Sequence, residues 1–452
     1  MQRAADCAVR EPFGAILCGG AEGLVKSIRK QEASLPQDIL RGGVSSAGTA
    51  RQSADDGRQR LCGLTGEMGM AHSAEALLAD LVGFNVLPGA ANGTIADYVR
   101  NYLAGHGLDC AVLPGPEGDR VNLFATIGPK DVPGYVLSGH MDVVPVEGQV
   151  WTADPFRLTD LGGRLTGRGS TDMKGFLACV LAAVPLFKAA NLKRPVHIAF
   201  SYDEEIGCRG VPHMIARLPE LCALPVGCIV GEPSDMRPVL SHKGKQAVEI
   251  TFTGKAAHSS QPALGENALY PAAELLLFIR DLSAKMEVEG PFDARFSPPS
   301  STVVAGIVSG GSAVNIIPDL CRLAFEVRSV PGAAPQDVSA KVLAKLDALL
   351  AQAQAEGRAL SASWQELASY PALAPTPDAG FITLMERLSG GAAIQSVSYG
   401  TEAGLFQAAG VPSIICGPGS ITRAHRPDEF ILREELAACM AMLERLAGEL
   451  AG

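Results

Sequence analysis

Residues 167–190 read GRGSTDMKGFLACVLAAVPLFKAA, a glycine-rich loop with one aspartate opening onto an almost unbroken apolar run. A lysine in such a loop raises the prospect of a phosphate cradle. A P-loop ends in Gly-Lys-Ser/Thr, however, and here Ser170 and Thr171 come before Lys174. The apolar stretch Phe176 to Phe187 is shorter than the roughly 18 residues a spanning helix needs and contains Pro185, so it reads as a core helix. Short β-rich runs flank it, GYVLSGHMDVV (134–144) and RPVHIAFSYDEE (194–205). Two more follow, GCIVGEP (227–233) and VPSIICGPG (411–419). Strands of this kind separated by helical segments predict an α/β sheet buried on both faces.

The middle of the chain has a different rhythm. QAVEITFTGKAAHSS, PSSTVVAGIVSGGSAVNIIPD and LCRLAFEVRSVP read as strands with turns at Gly-Gly and Pro. NALYPAAELLLFIRDL and DVSAKVLAKLDALLAQAQAEG read as helices between and after them. Strand-helix-strand-strand-helix predicts a small α+β, ferredoxin-like domain over 244–363, inserted into a catalytic domain made of 71–243 and 364–452. Residues 1–70, rich in Gly, Ser, Ala, Arg and Gln without a sustained period, are expected to be a loosely ordered extension. A start at Met68 or Met70 is the competing reading, since Ser73 then opens a helix over AEALLADLV.

A chain of 452 residues predicts more than one domain. With 47% hydrophobic and 19% charged residues it is globular, and a net charge of -10 argues against nucleic acid as a partner. The eleven cysteines show no C-x-x-C and no paired spacing. Reduced cysteines, no signal-peptide pattern after Met1 and no span long enough for a membrane point to a cytoplasmic protein without a membrane partner.

The chemistry gathers where predicted strands give way to loops. His140 and Asp142 close one strand, Asp203, Glu204 and Glu205 another and Glu232 a third, while His425 follows a fourth. In open α/β sheets ligands bind outside the carboxyl ends of the strands. Taken singly, His140 is an ordinary strand-end histidine, Asp172 a helix cap, DEE a solvated turn and His425 a surface residue. Together they collect two imidazoles and several carboxylates, whose mutual repulsion calls for a cation. Imidazole with carboxylate and no thiolate suits zinc, manganese or cobalt. Two divalent ions balance Asp172, Glu205, Glu232 and one hydroxide, with Asp172 bridging. Neighbouring side chains at a strand end diverge, which splits the work: Glu205 to a metal, Glu204 to water as general base.

SGHMDVVP, GRGSTDMKG, SYDEEIG, GEPSD and AHRPDEF, in this order, resemble the co-catalytic zinc family that includes acetylornithine deacetylase, succinyl-diaminopimelate desuccinylase, aminoacylase and glutamate carboxypeptidases. The resemblance covers most of 72–450. It implies a mixed-sheet zinc-hydrolase catalytic domain with the inserted domain as lid and dimerisation surface. It implies His140 and Glu232 on one metal, Glu205 and His425 on the other, Asp172 between them, and a cis bond after Asp172. Asp142 supports His140 and Glu204 is the base. In the insert it points to His258, approaching the oxyanion from the partner of a homodimer, and to Asn315 and Arg328 as substrate contacts. YGTEAGLF, with GTEA where the desuccinylase carries GTSD, lies nearer the deacetylase branch. The implied reaction is hydrolysis of N2-acetyl-L-ornithine to L-ornithine and acetate, with Glu402 facing the cationic amine. An N-succinyl compound, another N-acyl amino acid or a dipeptide is the alternative substrate, and a metal-free binding protein the alternative role. Lys174 reads as a surface or helix-start residue.

Overall fold

The structure, a computed structural model, describes residues 72–452, so the expectations for residues 1–70 and for the start at Met68 or Met70 lie outside the described residues. Fifteen strands follow in chain order: β1 (Cys110–Pro114), β2 (Val121–Ile127), β3 (Tyr135–His140), β4 (Thr159–Asp160), β5 (Arg164–Thr166), β6 (Val196–Ser201), β7 (Gly227–Pro233), β8 (Gly244–Thr253), β9 (Ala257–His258), β10 (Thr302–Gly310), β11 (Ile316–Ile317), β12 (Leu320–Ser329), β13 (Ser361–Tyr370), β14 (Ser413–Gly417) and β15 (Phe430–Leu432).

The principal sheet has the order β1-β2-β6-β3-β7-β14. β6, β3, β7 and β14 run parallel, and β2 and β1 add an antiparallel margin. Every residue of β6, β7 and β14 is buried, which explains their largely apolar sequences. Alternate side chains serve two cores. Leu137, Ile198, Phe200, Ile229 and Ile414 face the core shared with helices Lys174–Ala182, Ala379–Ser389 and Arg433–Ala451. Val136, Ala199, Cys228, Val230 and Ile415 face the one shared with helices Val211–Ile215 and Ala403–Ala408.

The core helix expected over Phe176 to Phe187 is two helices, Lys174–Ala182 and Val184–Ala189. Pro185 has no N–H for the carbonyl of Leu181, and the Tyr102 hydroxyl donates to that carbonyl instead, at 3.1 Å. The first helix presses closely on the sheet. A Cβ on Gly231 would sit 2.0 Å from the Phe176 ring, and one on Gly139 would sit 2.7 Å from Met173 and Leu177. These two glycines immediately precede Glu232 and His140, so close packing sets the height of both side chains.

The middle segment forms an antiparallel sheet in the order β10-β12-β8-β13, with helices Leu269–Glu289 and Pro335–Ala355 packed on it over their own apolar core. The order of elements is βαββαβ, the ferredoxin-like arrangement. Its fourth strand, β13, escaped the sequence reading because it lies at an edge and is exposed for most of its length, with no apolar alternation. It pairs with β8 as far as Tyr370 opposite Lys245, so the antiparallel sheet extends past the expected limit at 363. Among the described residues, no helix is long and apolar enough to cross a membrane.

Candidate metal centre

His140 is the last residue of β3. Its Nδ1 donates to the main-chain carbonyl of Asp142 at 2.9 Å, which leaves Nε2 free to face Asp172 Oδ1 (3.2 Å) and Glu232 Oε1 (3.6 Å). On the other side of Asp172, Oδ2 lies 3.2 Å from His425 Nε2, which is itself 3.0 Å from Glu205 Oε2. Two ligand-type triads therefore share one carboxylate, one oxygen to each: His140, Asp172 and Glu232, and Asp172, Glu205 and His425. The Asp172-Met173 peptide is cis. His140 and Glu232 stand on central strands, whereas Asp172, Glu205 and His425 stand on loops beyond the sheet edge.

Electrostatics test whether these residues fit metal ions. Burial raises Glu204 to about 8 and Glu205 to about 7 and lifts Glu232 as well, and neighbouring carboxylates add to each shift. Burial opposes charge on His140, yet hydrogen bonding to Asp172 and the charges of Glu232, Asp142 and Glu204 hold it well above its usual value. Hydrogen bonds to Asp172 and Glu205 drive His425 to about 10. So much buried negative charge at one sheet edge is relieved by cations. Two imidazole nitrogens with three carboxylates and no thiolate are a donor set for divalent transition metals, and Glu205 Oε1 is buried with no hydrogen-bond partner of its own. The residues fit a dinuclear centre.

Asp142 touches the site in two ways: its Oδ1 lies 3.6 Å from His140 Nδ1, and it holds the turn that follows β6. β3 ends at His140, so the two side chains are not related by strand alternation. The carbonyl of Asp142 takes the His140 proton, while its carboxylate oxygens each accept a main-chain N–H, from Glu204 and Glu205, at 3.2 Å. β6 likewise ends at Ser201, before the acidic residues. Asp203 turns the chain with a left-handed φ of 53°, pairs with Arg120 and accepts from Gly89 N at 2.8 Å. This turn, not strand alternation, separates Glu205 in the second triad from Glu204, whose Oε1 accepts the Cys208 thiol at 3.2 Å.

Other expected residues lie elsewhere. His258 on β9 pairs opposite Ile316, and Asn315 accepts Ser259 N through its carbonyl at 3.0 Å. The two adjoin each other on the inserted domain, exposed, and neither hydrogen-bonds to a triad member among the described residues. Arg328 is half-buried, donating to Glu326 at 2.5 Å and to the Tyr370 hydroxyl at 3.2 Å. Glu402 is 1% exposed, as His140 and Asp142 are; its Oε2 accepts from Ser138 Oγ at 3.1 Å, and its Oε1 is buried without a hydrogen-bond partner. Lys174 starts its helix as expected but is buried, its Nζ donating to the Phe84 carbonyl at 2.6 Å, and burial lowers it to about 7. Sequence reasoning missed Arg168 and Glu429. Both lie inside the quoted motifs, but nothing in their local pattern distinguishes them from loop charges.

A six-stranded mixed sheet with an inserted ferredoxin-like domain, and a shared carboxylate between two His-carboxylate sets, define a metal-dependent hydrolase. Residues 136–449 match peptidase family M20/M25/M40, and the chain belongs to that family. Among its curated relatives, an acetylornithine deacetylase of Pasteurella multocida (strain Pm70) is 34% identical over 373 residues, covering 79% of this chain and 91% of the relative. An acetylornithine deacetylase of Myxococcus xanthus is 32% identical over 383 residues, 83% of this chain and 97% of the relative. In fold, the chain is similar to an M20 family metallo-carboxypeptidase from Sulfolobus solfataricus, with a TM-score of 0.68 at 18% identity over 84% of this chain and 99% of the other.

Proposed function

We propose that this protein hydrolyses N2-acetyl-L-ornithine to L-ornithine and acetate, a step of arginine synthesis, in the cytoplasm. The reading rests above all on Asp172, which turns one oxygen to each of two His-carboxylate sets, and on relatives of matching length named for this reaction. His140, Asp172 and Glu232 would hold one divalent ion, and Asp172, Glu205 and His425 the other, with zinc the first choice and cobalt the second. When bound, the ions supply Lewis acidity towards the acyl carbonyl and an attacking water.

The protein's own residues do the rest. Glu204 belongs to neither triad, and it takes a proton from the attacking water as oxygen adds to the acyl carbon. It returns that proton to the amine nitrogen as the C–N bond breaks, so water is consumed and no redox partner is needed. Asp142 holds the main chain of Glu204 and Glu205 in place. Arg328, with two parallel donors, takes the substrate α-carboxylate. The inserted domain, residues 244–370, acts as lid and dimerisation surface of a homodimer; closure carries His258 towards the developing oxyanion, and Asn315 contacts the substrate.

The test is turnover of N2-acetyl-L-ornithine before and after chelation, and after zinc or cobalt is restored, beside N-succinyl-diaminopimelate and a dipeptide series. Fastest turnover of the acetyl substrate, lost with the metal and regained on its return, is expected. Faster turnover of a succinyl compound or a dipeptide overturns the substrate, and activity indifferent to chelation overturns the metal centre.

A further inference from the structure

We propose that Arg168, Glu429 and Gln149 form a positioning clamp that sets the geometry of the Asp172/Glu205/His425 half of the centre; this rests on the dinuclear reading above. Arg168 and Glu429 are each 1% exposed. Their ion pair is short, Nη1 to Oε2 at 2.6 Å. A buried ion pair is costly to desolvate and does not in itself signal stability, so its use has to be sought in what it holds.

It holds both loops that carry the outer ligands. The other oxygen of Glu429, Oε1, accepts the main-chain N–H of Thr171 (2.9 Å) and of Asp172 itself (3.0 Å). Arg168 Nη2 donates to Gln149 Oε1 at 2.6 Å, and Gln149 Nε2 donates to the main-chain carbonyl of His425 at 3.1 Å. Arg168 Nη1 also reaches the Arg426 carbonyl at 3.4 Å. One guanidinium thus joins the bridging carboxylate to the outer histidine. That histidine needs a tether: His425 has a left-handed φ of 62°, its side chain is 53% exposed, and it lies on no strand. His140 and Glu232, by contrast, take their positions from β3 and β7 in the middle of the sheet. Loss of the clamp is therefore unequal, falling on the equivalent bound by Asp172, Glu205 and His425.

Metal-free protein is titrated with cobalt by calorimetry and by visible absorption, as wild type and as Arg168→Met, Arg168→Lys, Glu429→Gln and Gln149→Leu. Wild type binds two equivalents. Arg168→Met and Glu429→Gln weaken the equivalent that includes His425 by about 10- to 100-fold, the usual effect of removing a group that orients a ligand, and weaken the other, which shares only Asp172 with the clamp, by clearly less. Arg168→Lys keeps the charge but not the fork and gives a partial loss. Gln149→Leu lies outside the ion pair and stays informative if its loss unfolds the chain; it weakens the same equivalent. Folded variants that bind both equivalents as wild type does, or lose both equally, overturn the clamp. A wild type that binds fewer than two equivalents overturns the dinuclear reading instead.

Discussion

Replacing Asp142 by asparagine separates the two ways in which this residue can serve the centre. In the structure its carboxylate oxygens each accept one main-chain N–H, from Glu204 and from Glu205, at 3.2 Å. Asparagine keeps one acceptor and turns an NH2 group towards the other N–H, so one bond to a charged acceptor is lost and two donors face each other. Such a bond is worth about 1.5–3 kcal/mol, and its length here places it at the lower end. The loop carrying the general base relaxes by that amount, which predicts a fall in kcat of about tenfold, with KM changed by less than about threefold. His140 is anchored by the Asp142 carbonyl, which the substitution retains, so the metal equivalent lost in His140→Ala is kept in Asp142→Asn. Steady-state kinetics with calorimetric metal titration of both variants makes the comparison. If Asp142→Asn loses the same equivalent as His140→Ala, or leaves kcat unchanged, the assignment of this carboxylate to the Glu204–Glu205 turn is wrong.

Glu204→Gln retains an oxygen for the Cys208 thiol and removes only the proton acceptor; kcat is expected to fall by about 10²–10⁴ at unchanged metal content, and turnover within about tenfold of wild type would reassign the base. Acid sensitivity should come partly from two histidines that belong to neither triad. Burial lowers both His197 and His242 to about 4 from an ordinary 6.5, so the folded protein keeps them neutral while the unfolded chain takes up protons below about 6.5. Their stabilisation is complete above that pH and is lost as pH falls towards 4, by about 2 kcal/mol each at pH 5. Urea unfolding at pH 7 and pH 5 measures it: His197→Gln and His242→Gln should each shrink the difference by about that amount, and a difference equal to wild type would remove the residue from the account.

The parallel sheet was legible because burial on both faces makes β6, β7 and β14 largely apolar, a local property. The site residues were legible because His140, Glu232 and His425 follow such runs and motif order carried the rest. The helix break at Pro185 and the edge strand β13 were not, since one depends on a distant tyrosine hydroxyl and the other on a neighbour that supplies its pairing.

What the amino-acid order determined by itself was therefore the kind of sheet, the presence of a second α+β unit and the chemical types able to ligate metal. The tertiary structure decided which groups aim them. The carbonyl of Asp142 accepts the His140 proton while its carboxylate, 3.6 Å from the same nitrogen, also holds the Glu204–Glu205 turn, and Glu429 reaches the main chain of Asp172 from 257 positions away. Local pattern records burial and period, which act over a few residues. Hydrogen bonds between loops depend on where the folded backbone brings remote residues together, and neighbouring sequence carries no trace of that.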